Sequence, residues 1–546
     1  MPPLEIYDTT LRDGTQGFGV DLSLADKLAL TAELDALGVA FIEGGWPGSN
    51  PKDRAYFEEV RERGLGRGKI SAFGSTRRNG ARAEEDPNLR ALVDSRADIT
   101  CIFGKSWDLH IAEALRVSEA DNLRMIGESV EFLRRATERP VFYDAEHYFD
   151  GFHANPKCAL ATIRAAHEAG ASRIILCDTN GGSLPAQIVQ GVQEAQRALP
   201  GAAFGIHVHN DGGLATANTL AAIQAGCVQV HGTINGVGER CGNADLTQII
   251  ANCELKLGIQ CLPEGRLSRL TEISRIVWER INRHGPDNQP YVGYAAFAHK
   301  GGVHVSAMQR NERTYEHVSP LSVGNARRIL ISEMAGRSSL LAKLEDRYPE
   351  LRDASTAAAV LNEVQDLEHQ GYSFEAADGS FDLLVQRQLG RWRPAFDLKY
   401  YRVHGIGTAV RNHSINGKKG DSQPPPSIEA GQAVEATVKL EVGGQPRLCV
   451  AEGNGPVDAL SHALAQALEG AFPVLRRMTL TDYKVRVVNS ADGTGARVRV
   501  LIEHEVDRHR FSTIGVHANI IEASWQALVD AIDYAVARES SSCIHL

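Results

Sequence analysis

The 546-residue sequence predicts an α/β protein: an eight-stranded (β/α) barrel, then a mainly helical subdomain, then an α+β C-terminal domain. Three observations carry that expectation. Short apolar runs alternate with longer amphipathic ones over residues 1–265, the rhythm of a parallel sheet with crossover helices. There are eight of the short runs, and eight βα units in about 250 residues is the size of a TIM barrel. Five of them end in dense polar clusters, as the C-terminal mouth of a catalytic barrel requires.

The strand candidates are Leu4–Asp8, Ala40–Gly44, Lys69–Phe73, Ile99–Phe103, Val141–Ala145, Arg173–Cys177, Gly205–Val208 and Val228–Thr233. Helical periodicity fills the gaps. Between Ser23 and Leu37, the residues Leu24, Leu28, Leu34 and Leu37 fall mainly on one face, and Ser23 with Asp26 reads as a capping box. An open doubly wound sheet would need Gly-x-Gly-x-x-Gly after the first strand, but that strand runs into Thr10-Leu11-Arg12-Asp13-Gly14. Residues 266–420 read as mainly helical, and Arg411 to Ser427 as a polar linker with Pro424-Pro425-Pro426. A domain at 428–546 follows, with strands expected at Ala433–Val442, Arg447–Val450, Tyr483–Val488 and Arg497–Glu505. Its helices open on similar phrases, from Gly453 and from Gly515, so a strand-rich repeat ending in a helix is expected twice.

Composition narrows the class. Hydrophobic residues at 43% and charged residues at 23% suit an ordinary soluble protein. A net charge of −10 argues against nucleic-acid or anionic-membrane partners. No apolar run is long enough to span a bilayer, and no signal peptide is expected. Nine scattered cysteines without Cys-x-x-Cys point to a reducing, cytoplasmic setting. The final Cys543-Ile544-His545-Leu546 imitates a prenylation box by coincidence, since no basic run precedes it.

The chemistry is expected at the strand ends. His207 and His209 are two apart on a strand, which puts both rings on one face. With Asp13 as carboxylate and Asn243 as a carbonyl donor, the set suits Mg²⁺, Mn²⁺ or Zn²⁺. His-x-His alone reads more simply as a hydrogen-bonded surface pair; Asp13 and the strand-end placement favour the metal. Arg12 has the fork to polarise a ketone or hold a carboxylate, where the plain alternative is a structural ion pair. Glu146 is a candidate general base and Thr179 a donor to a substrate carboxylate; a strand-end acid and a turn residue are the plain alternatives. Beyond the barrel, His299-Lys300-Gly301-Gly302-Val303-His304 suggests close backbone approach to a ligand, or simply a turn.

Three motifs in order make the pattern specific: Asp8-Thr9-Thr10-Leu11-Arg12-Asp13-Gly14-Thr15-Gln16, His207-Val208-His209-Asn210-Asp211 and Gly236-Val237-Gly238-Glu239-Arg240-Cys241-Gly242-Asn243. They resemble the signature of the DRE-TIM metallolyases, and within them the 2-isopropylmalate, homocitrate and citramalate synthases, over nearly the whole chain. The resemblance implies a divalent metal on Asp13, His207, His209 and Asn243, with acetyl-CoA as co-substrate. It implies Arg12 at the 2-oxo group and Thr179 at the substrate carboxylate. Glu146 and His304 match the pair proposed to deprotonate the acetyl methyl, with Tyr315 as helper, and His304 would enter the partner subunit's site. The C-terminal repeat would dimerise and bind a feedback amino acid. Thr15 departs from the family's more usual glutamate, beside the metal shell rather than in it.

The stretches Phe41 to Asp53 and Phe103 to His110 look like the long citramalate synthases, whereas isopropylmalate enzymes more often have a small residue and Phe before the proline. That implies pyruvate as acceptor, His110 near it, and isoleucine as effector on a route to isoleucine. Isopropylmalate synthase and then homocitrate synthase are the runners-up within the family. Two other classes are weighed. A lyase of the same superfamily would not need the C-terminal repeat. A non-catalytic sensor with a dead barrel would have no chemical reason to keep Arg12, Asp13, Glu146, His207, His209 and Asn243 together.

Overall fold

The computed structural model describes residues 4–300, 302–330, 337–405, 434–488, 493, 495–507 and 509–542. Gly301, the expected linker at 411–427 and the prenylation-like end lie outside the described residues. The chain divides into two compact units, 1–298 with 316–328 and 299–315 with 329–546.

The first unit is a closed parallel barrel of eight strands in sequence order. They are β1 Glu5–Asp8, β2 Phe41–Gly45, β3 Lys69–Ser75, β4 Ile99–Lys105, β5 Val141–Glu146, β6 Arg173–Asp178, β7 Phe204–Val208 and β8 Gln229–Gly232. The barrel closes where Ile6 pairs with Val230 and Asp8 with Gly232. Alternation along each strand sorts its side chains into two cores. Val141, Tyr143 and Ala145 of β5 face the helical ring, while Phe142 joins Tyr7, Phe41, Phe73, Ile99 and Ile175 inside. Below that layer Glu5 accepts from Arg173 and Gln229, which plugs the N-terminal end. The barrel is therefore a filled core with its one open end at the strand C-termini.

The helices begin and end where the sequence dictates. Ser23 caps Leu24–Leu37 with Asp26 as its reciprocal partner, and Gly38 ends it in the left-handed region. Asp86, Ser118 and Asn155 cap later helices through their side chains. Leu28, Leu34 and Leu37 bury the inner face of the first helix. Truncating one of these leucines to alanine costs roughly 2–5 kcal/mol.

In the second unit, helices Arg337–Leu344, Ala354–His369 and Asp378–Gln388 bear out the helical expectation for the middle of the chain. One stretch departs from it: Asp397–Gly405 is a strand, paired antiparallel with Val434–Val442. The C-terminal repeat is real and fuller than expected. Three antiparallel strands (Asp397–Gly405, Val434–Val442, Gln445–Gly453) precede helix Pro456–Leu468. Three more (Met478–Val487, Val498–Val506, His509–His517) precede helix Ile520–Ser542. The first and last of these six strands are absent from the sequence reading. The two repeats share a core, in which Trp525 and Ile532 of the second lie with Val438, Leu440, Leu460 and Leu464 of the first. No helix among the described residues is long and apolar enough to cross a membrane.

Candidate active site at the barrel mouth

The polar strand ends converge on one cavity of about 220 Å³, lined by Arg12, Asp13, Trp46, Phe73, Phe103, Asp144, Glu146, Cys177, Thr179, His207, His209 and Glu239 among others. Three of these form a compact ligand set. His207 and His209 lie on the same side of β7, with their Nε2 atoms 3.3 Å apart. Asp13, on the turn after β1, puts Oδ2 at 3.4 Å from His207 Nε2 and 4.0 Å from His209 Nε2. Ligands about 2.0–2.2 Å from one ion stand at such separations. All three residues are buried, which lowers the cost of concentrating donors there only if a cation joins them.

Protonation favours the same reading. Burial alone would raise the Asp13 carboxyl, but Arg12 and the two imidazoles outweigh it and hold the group well below its ordinary range. Burial, with His207 beside it, pushes His209 down to about 4. At neutral pH the site thus offers a carboxylate and a neutral imidazole, the forms that bind metal. Asn243 supplies a fourth donor. It lies on the loop after β8, bridges to His209 across the strand end, and its buried Oδ1 has no hydrogen-bond partner among the described residues. Its amide donates to Asp13 Oδ1 at 3.1 Å. An orphaned carbonyl oxygen beside a carboxylate and two imidazoles fits a divalent cation, so the residues present suit the metal that the motifs imply.

Glycine makes that loop. Gly242 has φ +91°, and a Cβ there would stand 2.0 Å from the Gly236 carbonyl; a Cβ on Gly238 would stand 2.1 Å from the Asn243 amide. Only glycine lets the chain fold back closely enough to present Asn243.

Arg12 is clamped rather than free. Its Nε donates to Glu43 at 2.6 Å, its Nη1 to Asp13 at 3.1 Å, and its guanidinium lies 3.7 Å over the Phe73 ring. Burial opposes its charge, and Glu43 with Asp13 more than offsets that. The fork is held charged, flat against Phe73, at the edge of the metal set. Glu43 itself is fully buried and also accepts from Tyr7 and Thr9. It has no role in the sequence reading, although a carboxylate inside the apolar run Phe41-Ile42-Glu43 was its signal.

The other expected residues separate into three groups. Glu146 and Thr179 line the cavity. Glu146 forms an ion pair with Lys105, and Thr179 accepts from the His147 amide at 2.8 Å. His110 is not among the residues lining the cavity; the turn after β4 folds it onto Trp107 and His147, with ring centroids 5.2 and 4.0 Å away. His304 and Tyr315 belong to the second unit, where their rings stack at 4.1 Å. Two more residues, like Glu43, have no role in the sequence reading. Asp144 lines the cavity two residues before Glu146, and burial pushes its carboxyl up to about 6. Arg240 ties three loops together, bidentate to Asp211 at 2.8 and 2.9 Å and donating to the Thr179 carbonyl at 2.7 Å.

Comparison with known proteins agrees with this geometry. Residues 3–277 match the HMGL-like family, residues 291–371 the homocitrate synthase post-HMGL domain-like family, and residues 426–536 the LeuA allosteric (dimerisation) domain. An (R)-citramalate synthase of Geobacter sulfurreducens is 46% identical over 98% of this chain and 98% of its own length. One from Synechocystis sp. is 47% identical over 98% of this chain and 96% of its own. A 2-isopropylmalate synthase of Synechococcus sp. is 29% identical over 99% and 96%.

Proposed function

Because the chain belongs to the HMGL-like family, and within it to the (R)-citramalate synthases, we propose that it condenses acetyl-CoA with pyruvate to give (R)-citramalate and CoA. The observation that carries this reading is the full-length identity of 40–47% to five (R)-citramalate synthases against 29% to a 2-isopropylmalate synthase.

Asp13, His207, His209 and Asn243 would hold the divalent metal, Mn²⁺, Mg²⁺ or Zn²⁺, which when bound supplies Lewis acidity toward the oxygens of a 2-oxo acid. Thr179 is suited to orient the acceptor carboxylate. Arg12, fixed by Glu43 and Phe73, presents its charge where the ketone oxygen gains negative charge. A base takes a methyl proton from acetyl-CoA, a role assigned to Glu146, with His304 and its ring partner Tyr315 supplied by a second copy of the chain. The methyl carbon then bonds to C2 of pyruvate, whose ketone oxygen takes up a proton and becomes the hydroxyl. Water cleaves the thioester and releases CoA. His110, whose ring packs on Trp107 and His147, is assigned near the acceptor.

The C-terminal repeat supports a homodimer with an amino-acid effector, for which isoleucine is the product-feedback choice. The setting proposed is the cytoplasm, consistent with eight free cysteines among the described residues.

The test is CoA release by purified protein with Mn²⁺, with pyruvate, 2-oxoisovalerate and 2-oxoglutarate offered in parallel. Dominant kcat/KM on pyruvate supports the proposal. Dominance of 2-oxoisovalerate replaces it with isopropylmalate synthesis, and no release with any acceptor returns the lyase and sensor readings.

A further inference from the structure

Two acids lining the barrel-mouth cavity have no work in the scheme above, Glu239, which pairs with Arg240, and Asp144, which is buried. On β5 it shares the inward face with Phe142 and Glu146, and in the sheet register it stands opposite Phe103 on β4 and Ile175 on β6. Only 4% of it is exposed. The Cys101 thiol donates to its Oδ1 at 3.2 Å, and among the described residues no lysine or arginine forms an ion pair with it.

The surrounding cations are committed elsewhere. Arg12 is held by Glu43 and Asp13, and Lys105 pairs with Glu146. The wall on this side is otherwise aromatic. Trp46 meets Phe73 and Phe103 edge-on at 5.9 and 5.8 Å, and its indole is pinned by a 2.6 Å hydrogen bond to Asn88. The cavity lining thus includes three rings, the Cys177 thiol and the buried Asp144 carboxylate.

We propose that Asp144 determines acceptor specificity, keeping the substituent on the 2-oxo acid small and uncharged. This rests on the reading of the cavity as the 2-oxo acid site. A methyl group leaves the carboxylate its bond from Cys101 undisturbed. A second carboxylate on the acceptor meets a like charge with no uncommitted cation to offset it. A branched alkyl group packs against the carboxylate without offering it a hydrogen bond. The rings limit size, and the charge rejects both dicarboxylates and bulky apolar side chains. That is discrimination by an unfavourable contact with the wrong substrate rather than by a better one with the right substrate.

The experiment measures kcat/KM for pyruvate, 2-oxobutyrate, 2-oxoisovalerate and 2-oxoglutarate in wild type, Asp144→Asn and Asp144→Ser, all with Mn²⁺. Asn keeps the shape and removes the charge; Ser also makes room and guards against failure of the first variant to fold. The 2-oxoglutarate to pyruvate ratio is expected to rise by about tenfold or more in Asp144→Asn. The 2-oxoisovalerate to pyruvate ratio is expected to rise by about tenfold or more in Asp144→Ser. A purely structural role would lower all four acceptors together, so ratios within about twofold of wild type overturn the proposal. Wild type that does not use pyruvate overturns the acceptor assignment itself, which separates that failure from failure of the Asp144 role alone.

Discussion

Arg12 and Asp13 are neighbours in sequence with opposite tasks. In the proposed scheme Arg12 stabilises charge that exists only in the transition state, so Arg12→Ala should lower kcat by about 10²–10³, far more than the loss of its pairs with Glu43 and Asp13 lowers the melting temperature of the fold. Steady-state kinetics beside a melting curve checks this, and unchanged kcat would remove Arg12 from the chemistry. Asp13 is the anionic member of the proposed metal set, so Asp13→Ala should weaken Mn²⁺ binding in a calorimetric titration. Away from the barrel, His504 is 4% exposed and burial pushes it down to about 4. Its unfolded value is near 6.5. Between those values the unfolded chain binds the extra proton, so stability falls as pH drops from about 6.5 toward 4. His504→Gln should flatten that part of the curve, read as melting temperature against pH; a slope equal to wild type would mean that other groups set it.

At the scale of elements, the site depends on one loop. Gly236 to Asn243 doubles back at the end of β8, with left-handed backbone at Gly236 and Gly242. Gly242→Ala is strained there and drives its Cβ into the Gly236 carbonyl. The expected outcome is displacement of Asn243, with weaker Mn²⁺ binding and lower kcat but little change in barrel stability. Calorimetry and thermal melting together separate those effects. The strands β1 to β8 were legible because each buries both faces and so reads as an apolar run. Asp397-Leu398-Lys399-Tyr400-Tyr401-Arg402-Val403-His404-Gly405 was not. Its polar alternation becomes a strand only once Val434–Val442 lies beside it, across residues 406–433. Glu43 and Asp144 were missed for a related reason. A single acid in an apolar strand shows no partner in the sequence, and both are explained by groups from distant strands: Arg12, Tyr7 and Cys101.

At the scale of the second unit, the helical region and the C-terminal repeat are one folded body. Ile514 and Val516 of the last strand complete the core of helices Ala354–His369 and Asp378–Gln388. Ser380 and Arg387 both bind Asp530, at 2.6 and 2.7 Å, and Trp392 binds Asp533 at 3.0 Å. Ending the chain at residue 405 should therefore uncover those helices as well as remove the effector domain. Limited proteolysis should cut the truncated chain within 354–392 much faster than the full chain. Equal rates would show that the helices stand without the repeat.

The sequence alone determined what depends on neighbours along the chain. Periodicity of two and of 3.6 marked strands and helices, Ser23 and Asp26 marked a cap, and the i, i+2 spacing of His207 and His209 put two imidazoles on one face. Order and spacing of three motifs were enough to imply the family and the metal ligands. Only the tertiary structure decided what depends on residues far apart. It closed β8 onto β1, drew Asp13 and Asn243 to the same pair of histidines, clamped Arg12 on Glu43, and left Asp144 buried with no ion pair to a lysine or arginine among the described residues. Those outcomes are set by packing and by the pairing of buried charges, and a linear pattern carries no record of which distant group will be the partner.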